Sequence, residues 1–78
     1  RIHLAFIDGV HEYENVLNEA NYIQKYQSAG DIIIFDDYSY EIFPGVIKAV
    51  DEFCLKFNYS LRVINANKKR SYAITYQL

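Results

Sequence analysis

The side chains best suited to chemistry stand in two short clusters, Asp8 with His11 and Asp36 with Asp37. Each follows directly on an apolar run, Ile2 to Ile7 in the first case and Ile32 to Phe35 in the second. Ionisable groups at the end of a buried strand are costly unless solvent, hydrogen bonds or a cation compensate them. If the two runs are neighbouring parallel strands, they lie about 4.8 Å apart and the three carboxylates can converge in one small site. Carboxylates that close repel one another and raise each other's pKa values unless a cation sits among them. A hard divalent ion such as Mg²⁺ takes oxygen ligands in this arrangement. An imidazole beside them, with an unperturbed pKa of about 6.5, suits proton abstraction near neutral pH.

Plainer readings stand beside these. An aspartate after a strand also serves as a turn former or a helix cap. A histidine ahead of a helix, such as His11, is commonly a solvated loop residue. Tyr38 and Tyr40 flank the second cluster and suit the wall of a substrate pocket, though loop tyrosines also cover core edges. Cys54 falls on the apolar face of a helical pattern and reads as core. His3 alternates with apolar neighbours and reads as packed or solvent-facing. Lys68-Lys69-Arg70 reads as a solvated hairpin turn.

The elements that must position the clusters are organised around Ile32-Ile33-Ile34-Phe35. Four consecutive apolar residues, three of them β-branched, predict a strand buried on both faces, because a half-exposed strand would alternate. A buried parallel strand that delivers acids to its C-terminal end is the usual layout of a ligand crevice in an open α/β sheet. Between the two strands, Tyr13, Val16, Leu17, Ala20, Ile23 and Gln27 recur at spacings of three and four. They predict a one-sided helix over 12–27, with Glu12 and Glu14 in its first turn, Lys25 in its last and Gly30 as its stop.

Pro44 reads as the first position of a second helix. Its apolar face is Val46, Ile47, Val50, Phe53, Cys54 and Phe57, and Asn58 ends it. Leu61 to Ile64 and Ser71 to Leu78 read as two further strands. The polar segment Asn65 to Lys69 between them is short enough to force an antiparallel hairpin. The order is strand–helix–strand–helix–strand–strand, an α/β class, and right-handed crossovers set the first two strands parallel and side by side.

Composition narrows the classes. A chain of 78 residues suffices for one small domain, and 51% hydrophobic residues with 17% aromatics are too apolar for a disordered tail. Net charge is −2, with 10 acidic and 8 basic residues intermixed, so no basic stripe marks a nucleic-acid surface. The lone Cys54 cannot form an internal disulfide, which fits a reducing, cytoplasmic setting. No apolar run approaches the roughly 20 residues that span a bilayer. The chain opens without Met, already inside a strand pattern, and closes inside another, so a segment of a longer protein is expected.

Three stretches in order carry a family likeness: Phe6-Ile7-Asp8-Gly9-Val10-His11-Glu12-Tyr13-Glu14, Gly30-Asp31-Ile32-Ile33-Ile34-Phe35-Asp36-Asp37-Tyr38, and Gly45-Val46-Ile47-Lys48-Ala49-Val50-Asp51-Glu52-Phe53. Together they resemble the C-terminal half of class I S-adenosylmethionine-dependent methyltransferases. The likeness is closest to the group with an Ile-Asp-Gly-x-His-x-Tyr motif, which includes metal-dependent sugar and natural-product O-methyltransferases. Ser71-Tyr72-Ala73-Ile74 looks like that fold's last strand.

The resemblance covers nearly the whole of residues 1–78 and implies a partial Rossmann-like sheet, two parallel strands plus a C-terminal antiparallel hairpin. Its last strand would lie between the organising strand and the one before it in sequence. It implies Asp8, Asp36 and Asp37 as ligands of Mg²⁺ or another divalent cation, and His11 as general base. Asp31, where a second Gly is common, and Glu19, where an Asp is common, are mild departures.

The methyl donor in that family is held mainly by a Gly-rich turn and an acidic residue after earlier strands. With only Gly9, Gly30 and Gly45, this chain offers neither. S-adenosylmethionine would therefore be bound by the missing N-terminal half of the domain. The implied partners are a small-molecule or sugar hydroxyl acceptor and either that missing half or a second copy of the segment. Two alternatives remain: another Mg²⁺-dependent enzyme or phosphoacceptor domain, or a non-catalytic interaction module on the same fold.

Overall fold

The computed structural model describes every residue except Gly9, Val10, His11, Tyr40, Glu41, Lys68 and Lys69, together with the side chain of Asn67. Six elements follow in chain order: β1 (Leu4–Ile7), α1 (Tyr13–Gln24), β2 (Ile32–Asp36), α2 (Pro44–Phe57), β3 (Tyr59–Asn67) and β4 (Arg70–Gln77). They form a mixed four-stranded sheet of order β1-β2-β4-β3 with two helices. β1 and β2 are parallel, with Ile7 opposite Phe35, and β4 lies antiparallel between β2 and β3. Element types and order agree with the sequence pattern.

Both crossovers advance across the sheet in the same direction, so right-handedness puts α1 and α2 on one face, where they pack on each other. The core lies between that helix layer and the sheet. Val16, Ala20 and Ile23 of α1 and Val46, Val50 and Phe53 of α2 meet Ile33 and Phe35 of β2 and Ala73 of β4. Phe53 is the centre of an aromatic set, with ring centroids 6.1 Å from Phe35, 5.3 Å from Phe57 and 4.6 Å from Tyr59. Cys54 is buried in this core, and burial with the nearby Asp51 pushes its thiol up to about 11. Buried Thr75 donates to the carbonyl of Ile33 at 2.9 Å.

The other face of the sheet corrects an expectation. β2 is buried on one side only: Ile33 and Phe35 are sealed, whereas Ile32 and Ile34 are half-buried. Leu4 and Phe6 on the same face are 62% and 52% exposed. The reason is topological. Both helices occupy one side, and nothing among the described residues covers the other.

Boundaries also moved. α1 stops at Gln24, with Lys25 as its C-cap, rather than running to Gln27. Gln27 is instead a buried bridge, its Nε2 donating to the Ile32 carbonyl at 3.0 Å. Gly30 does not cap the helix; it takes φ 90° in the turn into β2 and donates to the Gln77 carbonyl at 2.9 Å. Asn58 does end α2, in the left-handed conformation at φ 61°. β3 starts directly after it and runs to Asn67 with a bulge between Asn65 and Asn67, so most of the expected turn is strand. β4 supplies hydrogen-bonding partners that polar residues such as Asn65 accept as readily as apolar ones.

Candidate metal centre

The parallel pairing of β1 and β2 fixes the site. With Ile7 opposite Phe35, the next residues on each strand are Asp8 and Asp36, at one sheet edge. Asp36 is the last residue of β2 and Asp37 follows it. Successive side chains on a strand point to opposite faces. Asp37 escapes that alternation by adopting φ 59°, a left-handed conformation that aspartate tolerates better than most residues. One carboxylate oxygen from each of Asp8, Asp36 and Asp37 then lies within 4.8 Å of the others. The sequence expectation that these three converge agrees with this geometry.

Burial differs around the trio. Asp8 is exposed, Asp37 is half-buried and Asp36 is buried. Asp36 is compensated from two sides. Its Oδ1 accepts the Asp37 N–H at 2.8 Å, and its Oδ2 lies 3.5 Å from Nη2 of Arg70 at the start of β4. Arg70, read from sequence as part of a solvated turn, is therefore a neighbour of the acids. Its signal was indirect: only the place of β4 beside β2, with Asp36 opposite Tyr72, brings it there.

The donor set suits a hard cation. Hard divalent cations such as Mg²⁺ and Ca²⁺ take carboxylate oxygens as ligands. One oxygen from each of the three acids lies within 4.8 Å of the others, so a small movement of the carboxylates would bring all three onto one ion.

The remaining candidates are placed as follows. His11 and Tyr40 lie outside the described residues. Tyr38 packs against the core and its hydroxyl donates to Oδ1 of Asp51 on α2 at 2.7 Å, so it anchors the loop after the acids. Its backbone N–H reaches Ser71 of β4 at 3.2 Å. Tyr13, from the first motif, donates its hydroxyl to Glu52 and lies under Lys48, whose Nζ is 4.7 Å from the ring centroid. That hydrogen bond raises the phenol's pKa. Two shallow pockets of about 430 and 300 Å³ lie along α2, and none of the three acids lines either.

No protein-family profile matches the chain, and no solved structure matches it. An uncharacterized protein of Acanthamoeba polyphaga mimivirus is 44% identical over 52 residues, 65% of this chain and 24% of that protein. The chain thus matches about a quarter of the length of that curated relative. No helix is long and apolar enough to cross a membrane.

Proposed function

We propose that this chain is the metal- and acceptor-binding part of a Rossmann-like, S-adenosylmethionine-dependent O-methyltransferase acting on a hydroxyl of a small molecule or sugar. The observation that carries the reading is the convergence of the Asp8, Asp36 and Asp37 carboxylates at the C-terminal ends of two parallel strands. The antiparallel last strand beside β2 agrees with the sheet that the motif likeness implies.

In this reading Asp8, Asp36 and Asp37 would hold the ion, with Asp36 already oriented by the Asp37 N–H. A bound divalent cation supplies Lewis-acid charge that lowers the pKa of an acceptor hydroxyl. His11, on the segment between β1 and α1, takes the hydroxyl proton. The chain's part in methyl transfer is to aim the acceptor oxygen in line with the donor methyl carbon. The donor itself is bound by the N-terminal half of the domain, whose packing would also cover the open face carrying Leu4 and Phe6.

Residues 1–78 alone should be inactive, so the test uses the intact parent protein with methyl-labelled S-adenosylmethionine, a panel of catechol and sugar acceptors, and Mn²⁺ or a chelator. Label transfer that requires the ion is expected. Failure of Mn²⁺ to bind at millimolar concentration would remove the metal role and favour a non-catalytic interaction module.

A further inference from the structure

We propose that Arg70 is a displaceable counter-ion of the carboxylate trio, standing against Asp36 when no cation is bound and setting how tightly the site takes a divalent ion. This rests on reading the trio as a metal centre. The Asp36 side chain is only 3% exposed. A carboxylate so buried needs a partner for each oxygen, or its desolvation goes uncompensated. Oδ1 has a committed donor in the Asp37 N–H at 2.8 Å. Oδ2 faces Nη2 of Arg70 at 3.5 Å, a charge contact longer than an ordinary hydrogen bond.

The two partners differ in what it takes to move them. The Asp37 N–H is backbone, fixed by the turn. The Arg70 side chain is 57% exposed, so its guanidinium can withdraw into water without losing a buried environment. Charge arithmetic points the same way. Among the described residues, Arg70 sets one positive charge against the three carboxylates, where an incoming divalent ion would also place its charge. Arg70 therefore lessens repulsion among the acids and opposes an incoming cation. The same contact favours divalent over monovalent ions, because a monovalent ion adds no charge that Arg70 does not already supply.

Mn²⁺ affinity of the full chain, measured by calorimetry at low and high salt, tests this. Arg70→Gln should bind Mn²⁺ roughly two- to fivefold tighter at low salt, the range of a partly exposed ion pair. The difference should fade near 1 M salt, where screening acts within about 3 Å. Arg70→Lys keeps the charge and should bind like the wild type. In the unaltered chain, Mg²⁺ titration should move the Arg70 Nε–H resonance as the guanidinium leaves Asp36, a readout that needs no variant. Equal or weaker binding by Arg70→Gln at low salt, or an Arg70 resonance unmoved at saturating Mg²⁺, overturns the counter-ion role while leaving the metal centre standing. Absence of Mn²⁺ binding in wild type and both variants overturns the metal centre and this inference with it.

Discussion

The hydroxyl of Tyr59 donates to Oε1 of Gln27 at 2.6 Å, with both side chains buried. Gln27 passes the connection on, its Nε2 donating to the Ile32 carbonyl at 3.0 Å. The start of β3, the segment after α1 and the start of β2 are thereby tied at the sheet edge opposite the acids. Tyr59→Phe removes one hydroxyl and leaves a buried amide oxygen without its donor. A buried unsatisfied acceptor costs about 1–3 kcal/mol. Urea unfolding should show a lower midpoint with an unchanged slope, because the surface exposed on unfolding is the same.

That bridge shows where sequence reading stops. Gln27 falls in register with the apolar stripe of α1, and spacing alone extends the helix to include it. The helix ends earlier, and Gln27 is buried for its hydrogen bonds, which depend on a tyrosine 32 positions away. The acids were legible because parallel pairing and strand ends are local properties of two apolar runs. Arg70 was not, since its meeting with Asp36 depends on which strand lies beside β2. The one-sided burial of β2 was also hidden. An unbroken Ile-Ile-Ile-Phe run looks the same whether the second face is covered within residues 1–78 or not.

Asp31 gives a pH signature away from the acids. The Arg1 guanidinium, bidentate at 3.0 Å to both oxygens, and then the Ser28 N–H hold its carboxyl down to about 2. A carboxylate whose pKa falls on folding contributes stability above its unfolded pKa of about 3.9, and that contribution disappears as pH falls through the folded value. Asp31→Asn should therefore be less stable than wild type at pH 7, and the gap should close between about pH 4 and pH 2. Denaturation midpoints across that window check it. A gap that stays constant down to pH 2 would show that the ion pair is not the source.

Cys54 should be chemically silent in the folded chain. Its thiol is buried and pushed up to about 11, foremost by desolvation, so little thiolate exists near neutral pH. Labelling by a disulfide reagent at pH 7.5 should wait for unfolding and accelerate sharply in urea. Fast labelling of the native chain would place the sulfur at the surface. Cys54→Ala should cost roughly 1–2 kcal/mol, the scale of deleting a small buried hydrophobe beside Val50 and Phe53.

The trio itself separates metal binding from proton transfer. If the carboxylates hold a cation, Asp36→Asn and Asp37→Asn in the intact parent protein each remove one negative oxygen ligand and should weaken Mn²⁺ binding and turnover together. Asp36→Asn should be the more damaging, because Asp36 is buried and its Oδ1 is already held by the Asp37 N–H. His11→Ala should behave differently. As a general base it contributes roughly 10²–10⁴-fold to the rate, and its loss should lower kcat by that factor with Mn²⁺ affinity nearly unchanged. The pH profile supplies the independent readout. Wild-type turnover should rise through the histidine range near pH 6.5, and that limb should vanish in His11→Ala. Full activity of His11→Ala across neutral pH would assign the proton to another group, while joint loss of Mn²⁺ binding and turnover in the aspartate variants would still stand for the metal.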